Sequence, residues 1–496
     1  MVAVDLSSAS SSRPRPVITG HRGAVSTAHP LATSAGQFAL AMGGNAVDAT
    51  IAAQAVLCVI APSACGLGGD ALALIREPSG GVIAVNGVGR SPGNSDFVRI
   101  ADRGSSVTVP GIIDAWSTMH RRCGRLELPV ILRPAIDLAR GPARMASDVA
   151  MSVLQQRQRL SQAGADGWPV LEASIAGTPV TQPELADTLE RFAIQGPASF
   201  YSGPLAEAMV GAVQRLGGLM APSDLESHRT MVGQPVTIEF DGVVLSVQSP
   251  PTQGVLLAMV FRHLAKLRHR VPESLDHCGI ELTLSAFEHR DSSAAGASLL
   301  DCDLPLDPFK ASRRQGPRAY LHTAGVAVSD NNGQVVSSLV SLFDDFGSCI
   351  LIPEGGFTLN NRGEGFTEGP NRPRPVAYPI HTLAPAMVET DEAIIGLATP
   401  GADGQIQTLA QVLTRILLLS ETLAAALDAP RWRSEDGRLL IEHDHPSRDI
   451  LAQRGHDVVL LPAGDGRFGG VVCAGTMGGA PFAGADWRRE VWAGVA

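Results

Sequence analysis

Hydrophobic and polar positions alternate in two neighbouring stretches near the middle of the chain, residues 324–330 and 335–342. Alternation of this kind is typical of half-buried β-strands. The segment Asp330-Asn331-Asn332-Gly333 that joins them forms turns readily, since its glycine can adopt a positive φ. The pattern therefore predicts a β-hairpin with Thr323 at the leading end of its first strand.

Elsewhere the pattern changes repeatedly between strand and helix periods, which predicts a large α/β protein. Strands are expected at 24–28, 71–75, 81–85, 236–247, 382–388 and 394–397, with edge strands at 458–461 and 470–472. Helices are expected at 30–42, 46–60, 111–120, 134–140, 255–267, 281–289 and 405–419, with further amphipathic helices between 145 and 235. The helix at 46–60 is almost wholly apolar behind its N-cap candidate Asn45, so it must be buried.

The composition narrows the range of partners and compartments. Of 496 residues, 45% are hydrophobic and 18% charged, and the net charge of −10 gives no electrostatic reason to expect nucleic acid or an anionic membrane. The seven cysteines form no CxxC pair, which favours reduced thiols over disulfides or a zinc site. Residues 1–19 lack the apolar region of a secretory signal, and no apolar run is long enough to span a membrane. We therefore expect a flexible lead-in at 1–19 and a cytoplasmic protein.

Thr323 is the first candidate for chemistry. A threonine at the start of a strand becomes a nucleophile if the peptide bond before it is cut, because the freed α-amine can then serve as base for its own hydroxyl. A β-branched residue that merely opens a strand is the commoner interpretation of such a pattern. The remaining motifs have to decide between the two.

Three other segments carry polar groups of interest. The segment from Thr399 to Gly404 lies at a predicted strand-to-helix junction, whose unsatisfied backbone amides could stabilise an oxyanion. Arg90 lies in a glycine loop and is either solvated or a ligand for a substrate carboxylate. The run Glu442-His443-Asp444-His445 has the composition of a metal site but not its spacing, so we interpret it as a solvated loop and predict no metal.

Several short motifs occur in a fixed order along the chain. They are Gly43-Gly44-Asn45-Ala46-Val47-Asp48-Ala49, Gly66-Leu67-Gly68-Gly69, Val109-Pro110-Gly111, Pro134-Ala135-Ile136, Pro250-Pro251, Phe346-Gly347-Ser348, Leu359-Asn360-Asn361 and Pro430-Arg431-Trp432. In this order and rough spacing, from about residue 20 to the C-terminus, the chain resembles the γ-glutamyltranspeptidase family. Members of that family resemble N-terminal-nucleophile hydrolases, which have a four-layer αββα sandwich and are made as a precursor that cuts itself before a threonine.

The resemblance implies a set of catalytic residues. The nucleophile would be Thr323, so that the precursor would yield a large chain, 1–322, with its large-subunit portion at 20–322, and a small chain, 323–496. Ser341 matches the hydroxyl residue that holds the nucleophile, and Gly401 and Ala402 match two glycines whose amides stabilise the oxyanion. Ala402 keeps the N–H of the glycine that it replaces. The family needs no metal or organic cofactor.

The residues around the cleavage site depart from the family pattern. His322 precedes the nucleophile in place of a small polar residue, and Ala324 and Gly325 follow it in place of a threonine and a histidine. These departures keep open the hypothesis of a homologue that is not processed and acts as a binding or scaffold protein.

The resemblance also implies substrate-binding positions, which differ from those expected for a γ-glutamyl group. These positions are Arg90, Phe343, Arg362, Gly365, His381 and Thr382. Gly365 replaces the acidic residue that binds the α-ammonium group, and Arg362 adds a positive charge that should repel it. We therefore expect an amidohydrolase-like or acylase-like enzyme that acts on a small amide or acyl substrate.

Other hypotheses stay open at this point. They are a true γ-glutamyltransferase or glutathione hydrolase, and a biosynthetic hydrolase that cleaves a carbon–carbon bond beside a carbonyl. The expected partners are the substrate and the two chains of the same precursor, and a homodimer is compatible with the sequence.

Overall fold

The computed structural model describes residues 15–101, 103–267, 275–314, 316–317 and 323–496. The predicted cleavage residue His322 and most of the predicted lead-in lie outside the described residues. In the described part of the chain, no helix is both long and apolar enough to cross a bilayer.

The strands are β1 (Ile18–Thr19), β2 (Gly23–Thr27), β3 (Asp70–Arg76), β4 (Val82–Asn86), β5 (Ala143–Arg144), β6 (Pro179–Val180), β7 (Met231–Gly233), β8 (Val236–Phe240), β9 (Val243–Val247), β10 (Ala324–Asp330), β11 (Val335–Ser341), β12 (Leu351–Ile352), β13 (Phe357–Thr358), β14 (Ala386–Glu389), β15 (Ala393–Ala398), β16 (Trp432–Glu435), β17 (Arg438–Glu442), β18 (Val458–Leu461), β19 (Val472–Met477), β20 (Ala480–Ala485) and β21 (Trp492–Val495). The helices are α1 (Pro30–Ala41), α2 (Ala46–Ile60), α3 (Ile112–Cys123), α4 (Leu128–Arg140), α5 (Ser147–Gln162), α6 (Pro183–Gln195), α7 (Ala198–Tyr201), α8 (Pro204–Arg215), α9 (Pro222–Glu226), α10 (Gly254–Leu267), α11 (Leu275–Phe287), α12 (Gly404–Leu413), α13 (Leu423–Asp428) and α14 (Arg448–Gln453).

Most strands belong to two antiparallel sheets. The first sheet has the order β21-β2-β10-β11-β3-β4-β7, and the second has the order β1-β20-β19-β15-β14-β9-β8. The predicted hairpin forms the centre of the first sheet, with Ala324 opposite Val340. The prediction of an α/β protein organised around this hairpin is confirmed.

The two sheets pack face to face through small apolar side chains. Ala327 of β10 and Leu339 of β11 share one buried cluster with Val472 and Ala474 of β19. Helices α1 and α2 pack against the first sheet, and α10 and α12 pack against the second. Small side chains at the contact let the two sheets approach closely, which suits a chain with few aromatic residues.

The buried helix α2 is attached directly to the hairpin turn. Asn45 and Asp48 form a capping box at its start, and all of its residues are buried. The amide of Ala46 donates to Oδ2 of Asp330 at 3.0 Å, and the amide of Val47 donates to Oε1 of Gln334 at 3.1 Å. The helix thereby fixes the end of the hairpin opposite Thr323, since it satisfies its own free amides there.

Several predicted boundaries are wrong. The strand expected at 236–247 is a hairpin, β8 and β9, because Asp241 and Gly242 both adopt positive φ, +47° and +77°. Residues 470–472 lead into β19, which lies inside the second sheet between β15 and β20 rather than at an edge. Helix α4 starts at Leu128 and continues through Pro134, which we had placed at its beginning.

Candidate active site

Thr323 lies directly before β10, beside the last residue of the neighbouring strand. Its Oγ1 donates a hydrogen bond to Oγ of Ser341 at 3.3 Å, and the amide of Phe343 donates to the same oxygen at 3.0 Å. Both hydroxyl residues are buried. The hairpin register thus brings together the predicted nucleophile and its predicted partner.

A cavity of about 640 Å³ opens at Thr323. Its apolar wall includes Leu57 near the end of α2 and the tryptophans of the last segment of the chain, and its polar wall includes the start of α5 and the loop 465–467. Pro400 and Arg467 also line it. Since cavities of ~300–1,000 Å³ hold small organic ligands, Thr323 faces a space that fits a substrate.

Gly401 and Ala402 form a tight turn between β15 and α12. Both adopt positive φ, +124° and +50°, and Pro400 before them lines the Thr323 cavity. The carbonyl of Gly401 accepts from the amide of Gly404 at 2.8 Å, whereas among the described residues neither the Gly401 nor the Ala402 amide donates a hydrogen bond. We call residues 401–404 the oxyanion turn after the predicted role of these two amides, with which their lack of hydrogen-bond acceptors is compatible.

Four of the predicted substrate-binding residues, Phe343, Arg362, His381 and Thr382, form one group around a carboxylate that the sequence analysis did not consider. Oδ2 of Asp70 lies 3.2 Å from Nε of Arg362 and 3.1 Å from Nε2 of His381, and none of the three side chains is exposed. The Arg362 guanidinium lies 4.5 Å above the Phe343 ring, and its Nη1 donates to Oγ1 of Thr382 at 3.5 Å. These residues form a buried cluster, called the Asp70 cluster below.

The tautomer of His381 follows from its partners. Its Nδ1 accepts from the amide of Leu383 at 3.1 Å, so Nε2 carries the proton and donates it to Asp70. Burial, with a contribution from the nearby positive charge of Arg362, lowers the pKa of His381 to about 4. This histidine is therefore neutral at physiological pH and orients the Asp70 carboxylate.

The pairing corrects one step of the sequence argument. The sequence predicts that Arg362 presents an added positive charge to a substrate, but Asp70 compensates that charge inside the protein. Asp70 is also the first residue of β3, where it pairs with Ser341. The cluster is thus attached to the strand end that carries Ser341, the hydrogen-bond partner of Thr323.

Arg90 is not brought to Thr323. Its Nη2 donates to the hydroxyl of Ser227 at 2.8 Å and to the carbonyl of the same residue at 3.2 Å. It is absent from the lining of the Thr323 cavity. Its predicted role as a carboxylate ligand stays a prediction.

Two residues that connect the site were missed. Asp70 follows the glycine bend at 66–69, and its signal was a charged residue at the start of an otherwise apolar strand. Gln253 follows the Pro250-Pro251 bend, and its Nε2 donates to the carbonyls of Thr382 at 2.7 Å and of Ala402 at 3.0 Å. A single amide side chain therefore joins the Asp70 cluster to the oxyanion turn.

The segment 442–445 is only partly the solvated loop that we expected. Glu442 ends β17 fully buried, with Oε2 2.5 Å from Nη2 of Arg488, and His445 is buried as well. Glu442 is buried because Arg488 pairs with it, which the local sequence does not indicate. The described residues contain no group of His, Cys, Asp and Glu arranged to hold a metal ion.

Comparisons with known proteins identify the family. The family model described as gamma-glutamyltranspeptidase matches residues 32–305 and 307–495. The chain belongs to the γ-glutamyltranspeptidase family. The resemblance inferred from the short motifs is confirmed, whereas cleavage before Thr323 and the roles of the site residues stay predictions.

Individual relatives point to the amidohydrolase side of this family. The oxamate amidohydrolase proenzyme of Klebsiella pneumoniae subsp. pneumoniae is 30% identical over 477 residues, covering 87% of this chain and 90% of that protein. The glutathione hydrolase-like YwrD proenzyme of Bacillus subtilis is 30% identical over 449 residues, covering 84% and 85%. The crystal structure of cephalosporin acylase from Bacillus halodurans superposes with a TM-score of 0.85 at 24% identity and covers 100% of this chain and 99% of that one, which shows the same fold.

Proposed function

We propose that this chain is a self-processing hydrolase or acyltransferase that cleaves an amide through an acyl-enzyme on Thr323. The proposal includes cleavage between His322 and Thr323, which would give portions 20–322 and 323–496 of one four-layer αββα body. The observation that carries it is the position of Thr323, at the start of a central strand, 3.3 Å from the Ser341 hydroxyl and open to a cavity. Because the chain belongs to the γ-glutamyltranspeptidase family, a threonine in this position is the candidate nucleophile.

In the proposed reaction the freed α-amine of Thr323 takes the proton of its own Oγ, directly or through a water molecule. Oγ attacks the amide carbonyl, and the Gly401 and Ala402 amides bind the resulting oxyanion. When the C–N bond breaks, the α-ammonium returns the proton to the departing amine. A water molecule or a second amine then attacks the ester, again with the α-amine as base, and Thr323 is restored.

We propose an acyl group that lacks the α-ammonium of a γ-glutamyl substrate. Arg362 and His381 occupy two of the positions implied for binding such a group, and both are turned to Asp70 with no exposed surface. The α-carboxylate of a γ-glutamyl group bound at these positions would have to displace the buried Asp70 carboxylate and leave it without its ion pair, and an α-ammonium would meet the Arg362 guanidinium. The names of relatives suggest two substrate classes for this chain: oxamate, and the acyl amides on which acylases act.

Glutathione hydrolysis is the second candidate, since the Bacillus subtilis relative of equal identity carries a glutathione hydrolase-like name. It predicts release of the amine from a γ-glutamyl anilide at a rate similar to that for oxamate or acyl amides. Efficient turnover of the anilide would contradict the argument from the Asp70 cluster.

The test of the proposal is the covalent state of the purified protein, followed by its activity. Denaturing electrophoresis and intact-mass spectrometry should show two fragments, the smaller starting at Thr323. The variant Thr323→Ala should stay as one chain of 51.7 kDa and release no amine from any substrate. Wild-type protein that remains intact, or an active Thr323→Ala variant, would rule the proposal out.

A further inference from the structure

Arg433 is a buried arginine behind the oxyanion turn. It lies on β16, in the small sheet β16-β17-β18, and its side chain is only 3% exposed. Its Nη1 donates to the carbonyl of Arg467 at 2.9 Å. Because Arg467 lines the Thr323 cavity, this bond connects Arg433 to the cavity wall.

The Arg433 guanidinium lies against the backbone of the oxyanion turn. A Cβ atom placed on Gly404 would be 2.7 Å from Nη1 and 2.9 Å from Cζ of Arg433, and one placed on Gly401 would be 3.4 Å from Nη1. The first two distances are shorter than Cβ atoms tolerate. Gly404 has an ordinary negative φ, so the guanidinium, and not the backbone conformation, is what requires a glycine there.

The charges around Arg433 are incompletely matched. Its Nε lies 2.8 Å from Oε2 of Glu435 as an ion pair, whereas its Nη2 is buried without a hydrogen bond among the described residues. Burial lowers the pKa of Arg433, and the carboxylates of Glu435 and Asp403 oppose that effect. Burying a guanidinium nitrogen without a hydrogen bond lowers the stability of the fold, so the presence of Arg433 here calls for an explanation.

We propose that Arg433 is a positioning residue for the oxyanion turn, which it holds against the Arg467 wall of the cavity with its positive charge behind the Gly401 and Ala402 amides. The inference rests on the proposed function, because it concerns the same oxyanion. A fixed positive charge behind two amide donors stabilises a negative charge that exists only in the transition state. Arg433 should therefore act on kcat and leave substrate binding nearly unchanged.

A merely structural arginine would behave differently. Its loss would lower the amount of folded protein or the melting temperature, but each correctly folded and processed site would turn over at the normal rate. The measurement therefore has to be kcat per active site, with the number of sites counted from the burst of released amine.

The first variant is Arg433→Lys, measured with whichever amide the wild type hydrolyses fastest. We expect kcat per site to fall roughly 10- to 100-fold, with KM changed less than about threefold. This loss of kcat is smaller than the loss caused by removing a whole oxyanion donor, because both amides remain. The control is Arg431→Lys, since Arg431 is equally buried but pairs with Asp486. An unchanged kcat per site in Arg433→Lys, or an equal loss in Arg431→Lys, would overturn the inference.

A double-mutant cycle gives a second test, and Gly404→Ala, which keeps Arg433, is the arm that remains if no Arg433 variant folds. Gly404→Ala should displace the guanidinium and lower kcat, whereas Gly404→Ala with Arg433→Ala should be no slower than Arg433→Ala alone, because the clash is then gone. Gly211→Ala in α8 is the control, as its Cβ would approach only the end of the Arg215 side chain, at 3.4 Å. A double variant whose loss of kcat equals the product of the two single losses would refute the coupling. A wild type without processing or turnover would instead refute the proposed function.

Discussion

Replacing Asp70 by asparagine should destabilise the folded chain severely. The substitution preserves shape and one acceptor oxygen for His381, but it removes the carboxylate that pairs with the fully buried Arg362. If the amide oxygen stays with His381 and Arg362, the new N–H₂ would face the amide of Gly89, which donates to Oδ1 of Asp70 at 3.2 Å, as donor against donor.

The magnitude follows from the separation of the charges. At 3.2 Å and an effective dielectric constant of about 20, the ion pair is worth about 5 kcal/mol in Coulomb terms. Removing one partner of a buried pair typically costs about 3–5 kcal/mol, because the other charge is left without compensation. Since whole proteins are stable by only about 5–15 kcal/mol, we expect Asp70→Asn to remove a large part of the free energy of unfolding.

Urea unfolding, followed by tryptophan fluorescence and circular dichroism, would measure this loss. The Thr323→Ala background keeps every sample a single chain, so that processing does not change the reference state. Asp391→Asn is the matched control, since Asp391 is exposed in the turn before β15. It should shift the free energy of unfolding by less than about 0.5 kcal/mol.

A double variant separates charge compensation from packing. Asp70→Asn with Arg362→Met removes both charges at similar volume, and it should be more stable than Asp70→Asn alone by at least about 1 kcal/mol. A loss below about 1 kcal/mol in the single variant, or a double variant no more stable than the single one, would refute our account of the Asp70 cluster.

Two further predictions concern neighbouring residues. Ser341→Ala removes the hydroxyl oxygen that accepts from Thr323 Oγ1 and from the Phe343 amide, a loss of about 1–3 kcal/mol, so fragment formation and turnover should slow roughly 5- to 150-fold. A gel time course checks this, and wild-type kinetics would contradict it. The pKa of His381 is about 4 in the folded chain, below that of a histidine in the unfolded chain, so as pH falls the unfolded chain takes up a proton before the folded chain does. Stability should therefore decline between about pH 6.5 and 4, and less steeply in His381→Gln, which parallel urea titrations would test.

The hairpin could be predicted because its information is local. The period of two in 324–330 and 335–342, with the turn at 330–333, fixes which residues face each other, and the register then places Thr323 beside Ser341. The cap of α2 was equally local, since Asn45 and Asp48 are three residues apart. Interior strand β19 was mistaken for an edge because glycine and alanine give it little hydrophobic signal.

The Asp70 cluster could not be predicted in the same way. Arg362 and His381 lie 292 and 311 residues from Asp70 along the chain, so no periodicity in the sequence connects them. A charge in a sequence has a known sign, but its effect on a substrate depends on whether another charge compensates it in the fold. Arg362 shows the consequence: seen alone it repels an ammonium, whereas paired with Asp70 it fills the position with an internal ion pair. Both arguments disfavour a γ-glutamyl group, but only the second one predicts that mutating Asp70 changes stability before it changes specificity.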